Sequence, residues 1–169
     1  SDSKKVSPLE REKTYYEIVS LAAQWKLFYG VWVINNTVID SVGIREANRQ
    51  AMAQSLQEIQ GKKYKIQDEE IRLLIDGRDN YQFDILNLPE PEYIVRGDSK
   101  IKQVMAASII AKVTRDTLMR DFQKQFPWYG FPQHKWYGTV LHQKTLQELG
   151  VTEIHRKTYK PIQLFNSQQ

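Results

Sequence analysis

Two short apolar runs, each ending in an aspartate beside a glycine, constrain the fold of this chain more than any other feature. The first is "IRLLIDG", residues 71–77, and the second is "YIVRGDS", residues 93–99. Continuous apolar runs of this length are typical of parallel strands, and functional groups gather where such strands end at their carboxyl edge. The two runs therefore predict strands that place Asp76 and Asp98 at one edge of a sheet.

Helical patterns surround these strands. Ser7-Pro8-Leu9-Glu10 has the form of a capping box and predicts a helix from Pro8 to Gln24. Apolar residues at helical spacing predict further helices at about 44–59, 100–126 and 140–149, with Ser99 as the cap of the long one and Gly150 as the stop of the last.

The remaining segments lack helical spacing. The run "KLFYGVWVI", residues 26–34, is rich in aromatic and β-branched residues and predicts another strand, followed by a turn at Asn35-Asn36. The tail "HRKTYKPIQLF", residues 155–165, is predicted to be irregular. The order of elements predicts an α/β fold in which helices flank the sheet, and residues 1–169 are predicted to form a single domain.

Composition limits the possible partners and compartments. The 24 Lys and Arg residues against 20 Asp and Glu give a net charge of +4, which suits a polyanion but is also common in ordinary soluble proteins. The chain has no cysteine, which excludes disulfides, thiolate metal ligands and a cysteine nucleophile. It has no apolar run long enough for a membrane span and no signal-peptide pattern. A cytoplasmic protein that does not associate with a membrane is therefore predicted.

The two strand-end aspartates admit more than one interpretation. Carboxylates at neighbouring strand ends would supply the oxygen ligands that Mg²⁺ prefers, although a two-metal site needs more than two acids. The alternative is that both are ordinary turn and cap residues. Arg96-Gly97-Asp98 also matches an adhesion tripeptide, but the lack of cysteine and of a secretion signal weakens that interpretation.

A second set of residues points to nucleic acid. In "GFPQHKWYGT", residues 130–139, His134, Lys135 and Tyr137 lie between glycines, and an aromatic ring beside a cation is suited to a base or sugar next to a phosphate. The alternative is that the aromatic rings only close the core beneath a loop. The triplet Asp-Ser-Lys occurs at residues 2–4 and 98–100, and a lysine near a helix start beside a metal site is placed to hold a phosphate.

The stretch from "RGDSKIKQVMAASIIAKVTRD" to "FPWYGFPQHKWYGT" resembles the signature of type 2 ribonuclease H (ribonuclease HII), usually written K-G-D-x-K, A-A-S-I-I-A-K-V-x-R-D and Y-P-x-Y-G-F-x-x-H-K-G-Y-G-T. The resemblance continues through "LQELGVTEIHRKTYKPI" and includes "LLIDG" and "SDSKKVSPLERE". It therefore implies a ribonuclease H-like mixed sheet flanked by helices. It also implies an enzyme that cuts the RNA strand of RNA/DNA hybrids, and ribonucleotides embedded in duplex DNA, with Mg²⁺ or Mn²⁺ and four carboxylates.

The resemblance assigns roles residue by residue. It makes Asp76 and Asp98 catalytic metal ligands and Tyr137 the ring that stacks at the RNA–DNA junction. The phosphate contacts that it implies are Lys4, Lys100 and Lys135. Asp116 and His134 are second-line candidates, and Asp116 is predicted to tie down the long helix rather than to bind metal.

One departure from the family pattern qualifies these roles. The family begins with a strand region written D-E-x-G-R-G, which supplies two of the four carboxylates and a turn that reads the ribose 2′-hydroxyl, and no such segment stands in this chain. The sheet is therefore expected to lack its N-terminal strands and to have an exposed edge, unless a second chain supplies them; otherwise a monomer is expected. The alternative function is a shortened homologue that binds hybrid duplex without cutting it.

Overall fold

The computed structural model describes residues 7–61, 71–83, 88–131 and 139–167. These residues form a helix-rich α/β structure with a small parallel sheet, so the predicted fold class is confirmed. The chain divides into two compact units, which are described separately: Ser1–Val33 with Asn48–Val113, and Ile34–Ala47 with Thr114–Gln169. That all 169 residues form a single domain stays a prediction.

The regular elements are short strands between longer helices. The strands are β1 (Leu74–Asp76) and β2 (Glu92–Ile94). The helices are α1 (Pro8–Ala23), α2 (Asn36–Val42), α3 (Ile44–Gly61), α4 (Gly97–Lys100), α5 (Lys102–Gln125), α6 (Val140–Leu149) and α7 (Lys160–Asn166), with a 3-10 turn at Pro127–Tyr129. None of the helices in the described ranges is long and apolar enough to cross a membrane.

The predicted capping box at the start of α1 is present. The Glu10 N–H donates to Ser7 Oγ (3.2 Å), and the Ser7 N–H donates to Glu10 Oε2 (3.1 Å). Each side chain satisfies an N–H that the first turn of a helix leaves without an internal partner. The predicted helices at 44–59, 100–126 and 140–149 are likewise confirmed as α3, α5 and α6.

Apolar side chains of the first unit form two buried clusters among the described residues. The first cluster surrounds the sheet and contains Ala53, Ile75, Tyr81 and Phe83. The second joins α1 to α5 through Ile18, Ile109 and Ile110, against which Leu27, Tyr29 and Val31 pack. Helix α3 thus packs on the sheet, as expected for an α/β layer structure.

The prediction of a strand at residues 26–34 is wrong, because residues 27–35 have no regular structure. This segment lies directly against α3: a Cβ built on Gly30 would stand 2.1 Å from the backbone oxygen of Ser55. The Val31 N–H donates to Glu58 Oε2 (2.9 Å) instead of to a neighbouring strand. Leu27, Tyr29 and Val31 pack against the cluster of α1 and α5, whereas Phe28, Trp32 and Val33 are exposed.

In the second unit, the predicted turn at Asn35-Asn36 is the start of helix α2. Asn35 is its N-cap, and its side-chain oxygen accepts a hydrogen bond from the Val38 N–H (2.9 Å). The tail that was predicted to be irregular contains α7, with Pro161 in its first turn. Both short helices lacked a long apolar repeat, which explains why the periodicity of the sequence missed them.

Side-chain hydrogen bonds connect helix α2 to residues 153–158. Asn36 Nδ2 donates to the backbone oxygens of Glu153 (2.8 Å) and His155 (3.1 Å). The Asp40 carboxylate accepts hydrogen bonds from the N–H groups of Lys157 (2.7 Å) and Thr158 (3.0 Å) and from the Thr158 hydroxyl (2.5 Å). A seven-residue helix is marginal alone, so these contacts hold α2 in place.

The Asp40 contacts predict a pH-dependent stability. Partial burial raises the pKa of Asp40, but the hydrogen bonds from Thr158 and Lys157 and the charge of Arg156 outweigh it, so the pKa lies below 3.8. A folded-state pKa below the unfolded one stabilises the protein above the unfolded pKa, and this contribution is lost as the pH falls through the folded pKa. Asp40→Asn is expected to cost about 1 kcal/mol at pH 7, since the group is largely exposed.

Urea unfolding of both proteins at several pH values measures this difference. It should be constant from pH 7 to about pH 5 and should shrink below pH 4, because only the wild-type carboxylate becomes protonated there. A difference that is the same at pH 3 and pH 7 would contradict the assignment. Asp121→Asn, at an exposed ion pair with Lys124, is the matched control.

The core of the second unit is aromatic and includes two buried histidines. Phe131 is 0% exposed and stacks on Tyr129, whose hydroxyl donates to the Gly150 backbone oxygen (2.6 Å) and whose pKa is raised by burial. His155 Nδ1 accepts the Thr152 N–H (3.0 Å), and its ring lies 5.7 Å from the ring of His142. Both histidines are therefore buried parts of this core.

Candidate metal-binding site

The two strands are neighbours, and their carboxyl ends meet at one edge. β1 and β2 run parallel with Asp76 opposite Ile94, and the Gly77 N–H continues the ladder to the Ile94 oxygen (3.1 Å). Asp76 is exposed at the end of β1. The two predicted strands are therefore present, and the structure shows that they are adjacent.

Beyond the strand ladder, a hydrogen bond to the Asp76 side chain connects the two aspartate-bearing segments. The Gly97 N–H donates to Asp76 Oδ1 at 2.8 Å. Asp98 is the next residue, so its Cα lies about 3.8 Å from that of Gly97. The half-buried Asp98 is thus attached, through one peptide unit, to the group that holds the carboxylate of Asp76.

The chain reverses direction between β2 and α4 at Arg96. This residue has φ 57° and ψ 43°, which is the left-handed conformation, and it is the N-cap of α4. Ser99 lies inside α4 and donates from Oγ to the Arg96 oxygen (2.9 Å), so the prediction that Ser99 caps the long helix is wrong. The long helix begins instead after Ile101, which ends α4 in an extended conformation.

Arg72 and Glu92, at the amino ends of the two strands, form an ion pair. Arg72 donates from Nε and Nη2 to the two carboxylate oxygens of Glu92, at 2.8 and 2.7 Å. This pairing lowers the pKa of Glu92. Glu92 lies at the opposite end of the strands from Asp76 and Asp98, so it belongs to a separate cluster.

Of the other predicted site residues, two lie within the described ranges and four lie outside them. Lys100 is exposed at the end of α4, two residues after Asp98. Asp116 is half-buried in the part of α5 that belongs to the second unit. The remaining predicted residues lie outside the described ranges: Lys4, His134, Lys135 and Tyr137.

A tyrosine that the sequence analysis did not single out orders the loop after Asp76. Tyr93 Oη accepts the Tyr81 N–H (2.8 Å) and donates to the Tyr81 backbone oxygen (2.6 Å). One phenol thus satisfies both backbone groups of a residue five positions beyond Asp76. A tyrosine whose ring is half-buried generally needs a partner for its hydroxyl, but the sequence gives no means to identify which one.

Tyr93→Phe is expected to lower the free energy of unfolding by about 2 kcal/mol, because it removes two hydrogen bonds from partly buried backbone groups. Tyr16→Phe, on an exposed tyrosine of α1, is the matched control and should change stability by less than about 0.5 kcal/mol. Urea unfolding of the three proteins measures both effects. Equal stability of the Tyr93 and Tyr16 variants would show that the two bonds contribute nothing.

The donor set at the strand edge suits a hard divalent cation. Asp76 and Asp98 both supply carboxylate oxygens, and Mg²⁺ and Mn²⁺ prefer oxygen ligands. Within the described ranges, His, Cys, Asp and Glu side chains form no group of three or more that could hold a metal ion. The pair therefore fits part of a metal site.

The family profile and the relatives that match this chain all carry the description Ribonuclease HII. The profile of the family Ribonuclease HII matches residues 1–162. Ribonuclease HII of Lactobacillus helveticus is 42% identical over 165 residues, which cover 98% of this chain and 60% of that protein. Ribonuclease HII of Bacillus subtilis is 37% identical over 168 residues, which cover 98% and 58%. The chain thus spans about 60% of the length of these relatives.

A solved structure shares the fold. The ribonuclease H2 of Pyrococcus horikoshii OT3 superimposes with a TM-score of 0.74 at 21% sequence identity, covering 99% of this chain and 80% of that one. At this identity the likeness shows the fold alone. The predicted ribonuclease H-like architecture is therefore confirmed independently of sequence similarity.

Proposed function

Because the chain belongs to the ribonuclease HII family, we propose that it hydrolyses the RNA strand of RNA/DNA hybrids, and ribonucleotides embedded in duplex DNA, by divalent-metal-assisted phosphodiester cleavage. The observation that carries the proposal is the connection of Asp76 to the Asp98 segment at the carboxyl edge of the parallel strands. Relatives named Ribonuclease HII that match 98% of the chain support the same reaction class.

Asp76 and Asp98 would hold the metal, which is Mg²⁺ or Mn²⁺. When bound, such an ion polarises the phosphoryl oxygen and activates water for attack on phosphorus. The contribution of the chain is a pair of negative charges whose positions are set by the strand register and by the Gly97 N–H. Asp76 is exposed and Asp98 is half-buried, as a site that has to admit a duplex requires.

The cationic and aromatic residues have separate proposed roles. Lys100, exposed at the end of α4, would contact a phosphate near the two carboxylates. Lys4 and Lys135 are proposed as further phosphate contacts and Tyr137 as the stacking ring, all by resemblance to the family. Asp116 and His134 stay second-line predictions. The net charge of +4 suits a polyanionic partner.

Two further properties stay predictions. The absence of cysteine suits a reducing compartment, which supports a cytoplasmic location. That a second chain supplies further strands, and that the chain is otherwise a monomer, is likewise a prediction.

The direct test uses a labelled duplex that contains one ribonucleotide and a second, all-DNA duplex of the same sequence. With Mg²⁺ or Mn²⁺, the 169-residue chain is expected to cut only the first, and a chelator should abolish cleavage. Binding of both duplexes is measured in parallel by fluorescence anisotropy. Cleavage of the all-DNA duplex at an equal rate would contradict the proposal.

The same experiment separates cleavage from binding alone. The alternative is a module that binds hybrid duplex without cutting it. Tight binding of the ribonucleotide-containing duplex without cleavage at any metal concentration would establish that alternative for this chain.

A further inference from the structure

The turn between β2 and α4 has an unfavourable backbone conformation. Arg96 and Trp25 are the two non-glycine residues with positive φ in the described ranges. A side chain on Cβ makes the left-handed region unfavourable, and arginine is not among the residues that tolerate it best. Residues held in such conformations concentrate at functional sites, where the surrounding structure compensates for the strain.

This conformation directs the next peptide N–H toward Asp76. With Arg96 left-handed, the Gly97 N–H lies 2.8 Å from Asp76 Oδ1. A residue in the extended or right-handed region at position 96 would rotate the 96–97 peptide, because that peptide is planar and turns as a unit. The N–H would then no longer face the carboxylate.

Gly97 has little room for a side chain. A Cβ on this buried residue would lie 3.1 Å from Val104 Cγ1, 3.4 Å from Ile94 Cβ and 3.5 Å from Asp76 Oδ1. The first of these distances is tighter than an ordinary van der Waals contact, so the Val104 side chain on α5 would have to move by a few tenths of an ångström. The space at Gly97 is therefore limited by α5, whereas its φ is not among the positive values.

The hydrogen bond fixes how the Asp76 carboxylate is presented. Its Oδ1 accepts the Gly97 N–H, which restricts the rotation of the carboxylate. Asp98 follows in the same turn, so the segment that contacts Asp76 also carries the second carboxylate. Groups that orient metal ligands generally affect metal affinity strongly.

We propose that Arg96 and Gly97 form a positioning turn: the left-handed Arg96 and the Gly97 N–H hold Asp76 in the orientation in which it binds a divalent cation together with Asp98. This inference rests on the proposed function, since it concerns the same metal site. It assigns the role of Arg96 to its backbone conformation and not to its charge.

Two substitutions at residue 96 separate backbone from charge. Arg96→Gly and Arg96→Val both remove the guanidinium, but glycine adopts the left-handed conformation readily whereas β-branched valine opposes it. Titration with Mn²⁺, followed by calorimetry, is expected to give a dissociation constant within about twofold of wild type for Arg96→Gly and about tenfold higher for Arg96→Val. An equal loss in both variants would assign the effect to the guanidinium and overturn the proposal.

Gly97→Ala tests the other half of the turn and is expected to weaken Mn²⁺ binding by about tenfold. Gly30→Ala, which disturbs the packing of residues 27–35 on α3 in the same unit, controls for a general loss of stability and should leave the dissociation constant unchanged. If the two glycine variants weaken Mn²⁺ binding equally, Gly97 acts only through stability and its positioning role is refuted.

Asp76→Asn distinguishes failure of the turn from failure of the site. If wild type binds Mn²⁺ and Asp76→Asn does not, the proposed metal site is supported. Wild-type affinity in Arg96→Val and Gly97→Ala would in that case refute the positioning role of the turn but not the metal site. If Asp76→Asn binds Mn²⁺ as wild type does, both the proposed metal site and the positioning turn are refuted.

An NMR measurement adds a readout without altering the turn. Asp76→Asn should shift the Gly97 amide proton upfield, and an unchanged shift would contradict the hydrogen bond.

Discussion

Asp98→Asn is expected to lower the rate of cleavage of a ribonucleotide-containing duplex by about 10³-fold. Asparagine has nearly the same shape as aspartate, so the substitution removes one negative charge while leaving the turn at Arg96 and Gly97 in place. A metal ion contributes several kcal/mol of charge stabilisation in the transition state, and each 1.4 kcal/mol corresponds to about one factor of ten in rate. The same loss is expected for Asp76→Asn.

The rate is measured under single-turnover conditions with saturating duplex and a range of Mn²⁺ concentrations. Asp121→Asn removes one negative charge at an exposed ion pair of α5 and should cleave at the wild-type rate. Duplex affinity of Asp98→Asn should be equal to or higher than that of wild type, because a charge that repels phosphate is lost. Wild-type cleavage by Asp98→Asn would exclude this residue from the reaction.

Gly30→Ala is expected to lower the free energy of unfolding by about 3 kcal/mol, since overpacking against an immobile neighbour costs 1–3 kcal/mol and sometimes more. The added methyl group would stand 2.1 Å from the Ser55 backbone oxygen, and a helix carbonyl cannot rotate away as a flexible side chain can. Either the 27–35 segment or α3 must move, and the Val31 bond to Glu58 is then lost as well.

Gly61→Ala is the matched control, because the last residue of α3 has no atom within 4 Å of a built Cβ. Alanine favours a helix over glycine, so this variant should be as stable as wild type or more stable by about 0.5 kcal/mol. Urea unfolding with comparison of both midpoints and slopes measures the two effects. Similar stabilities for the two variants would show that the 27–35 segment does not lie against α3 as described.

Features encoded by neighbouring residues could be predicted from the sequence. The capping box of Ser7 and Glu10 and the end of α6 at Gly150 depend on groups within a few positions of each other. The two strands that precede Asp76 and Asp98 were also predictable, because apolar runs that end in an acid and a glycine indicate parallel strands. Only the structure shows that they pair with each other.

Features that depend on distant partners could not be predicted. Residues 26–34 have the composition of a strand, and only the approach of Gly30 to Ser55 reveals that they pack on a helix. Tyr93 and Gly97 act through Tyr81 and Asp76, and no pattern in the sequence names those partners. The left-handed conformation of Arg96 was equally inaccessible, since arginine carries no preference for it.

The attachment of α2 to residues 153–158 has a consequence for synthesis on the ribosome. Asp40 binds backbone groups that lie 117 and 118 positions later in the chain. At a translation rate of about 5–20 residues per second, α2 is synthesised roughly 6–24 s before the residues that hold it. Because so short a helix is marginal alone, it gains its tertiary support late. The second unit therefore completes its fold only after residues 157 and 158 have been made.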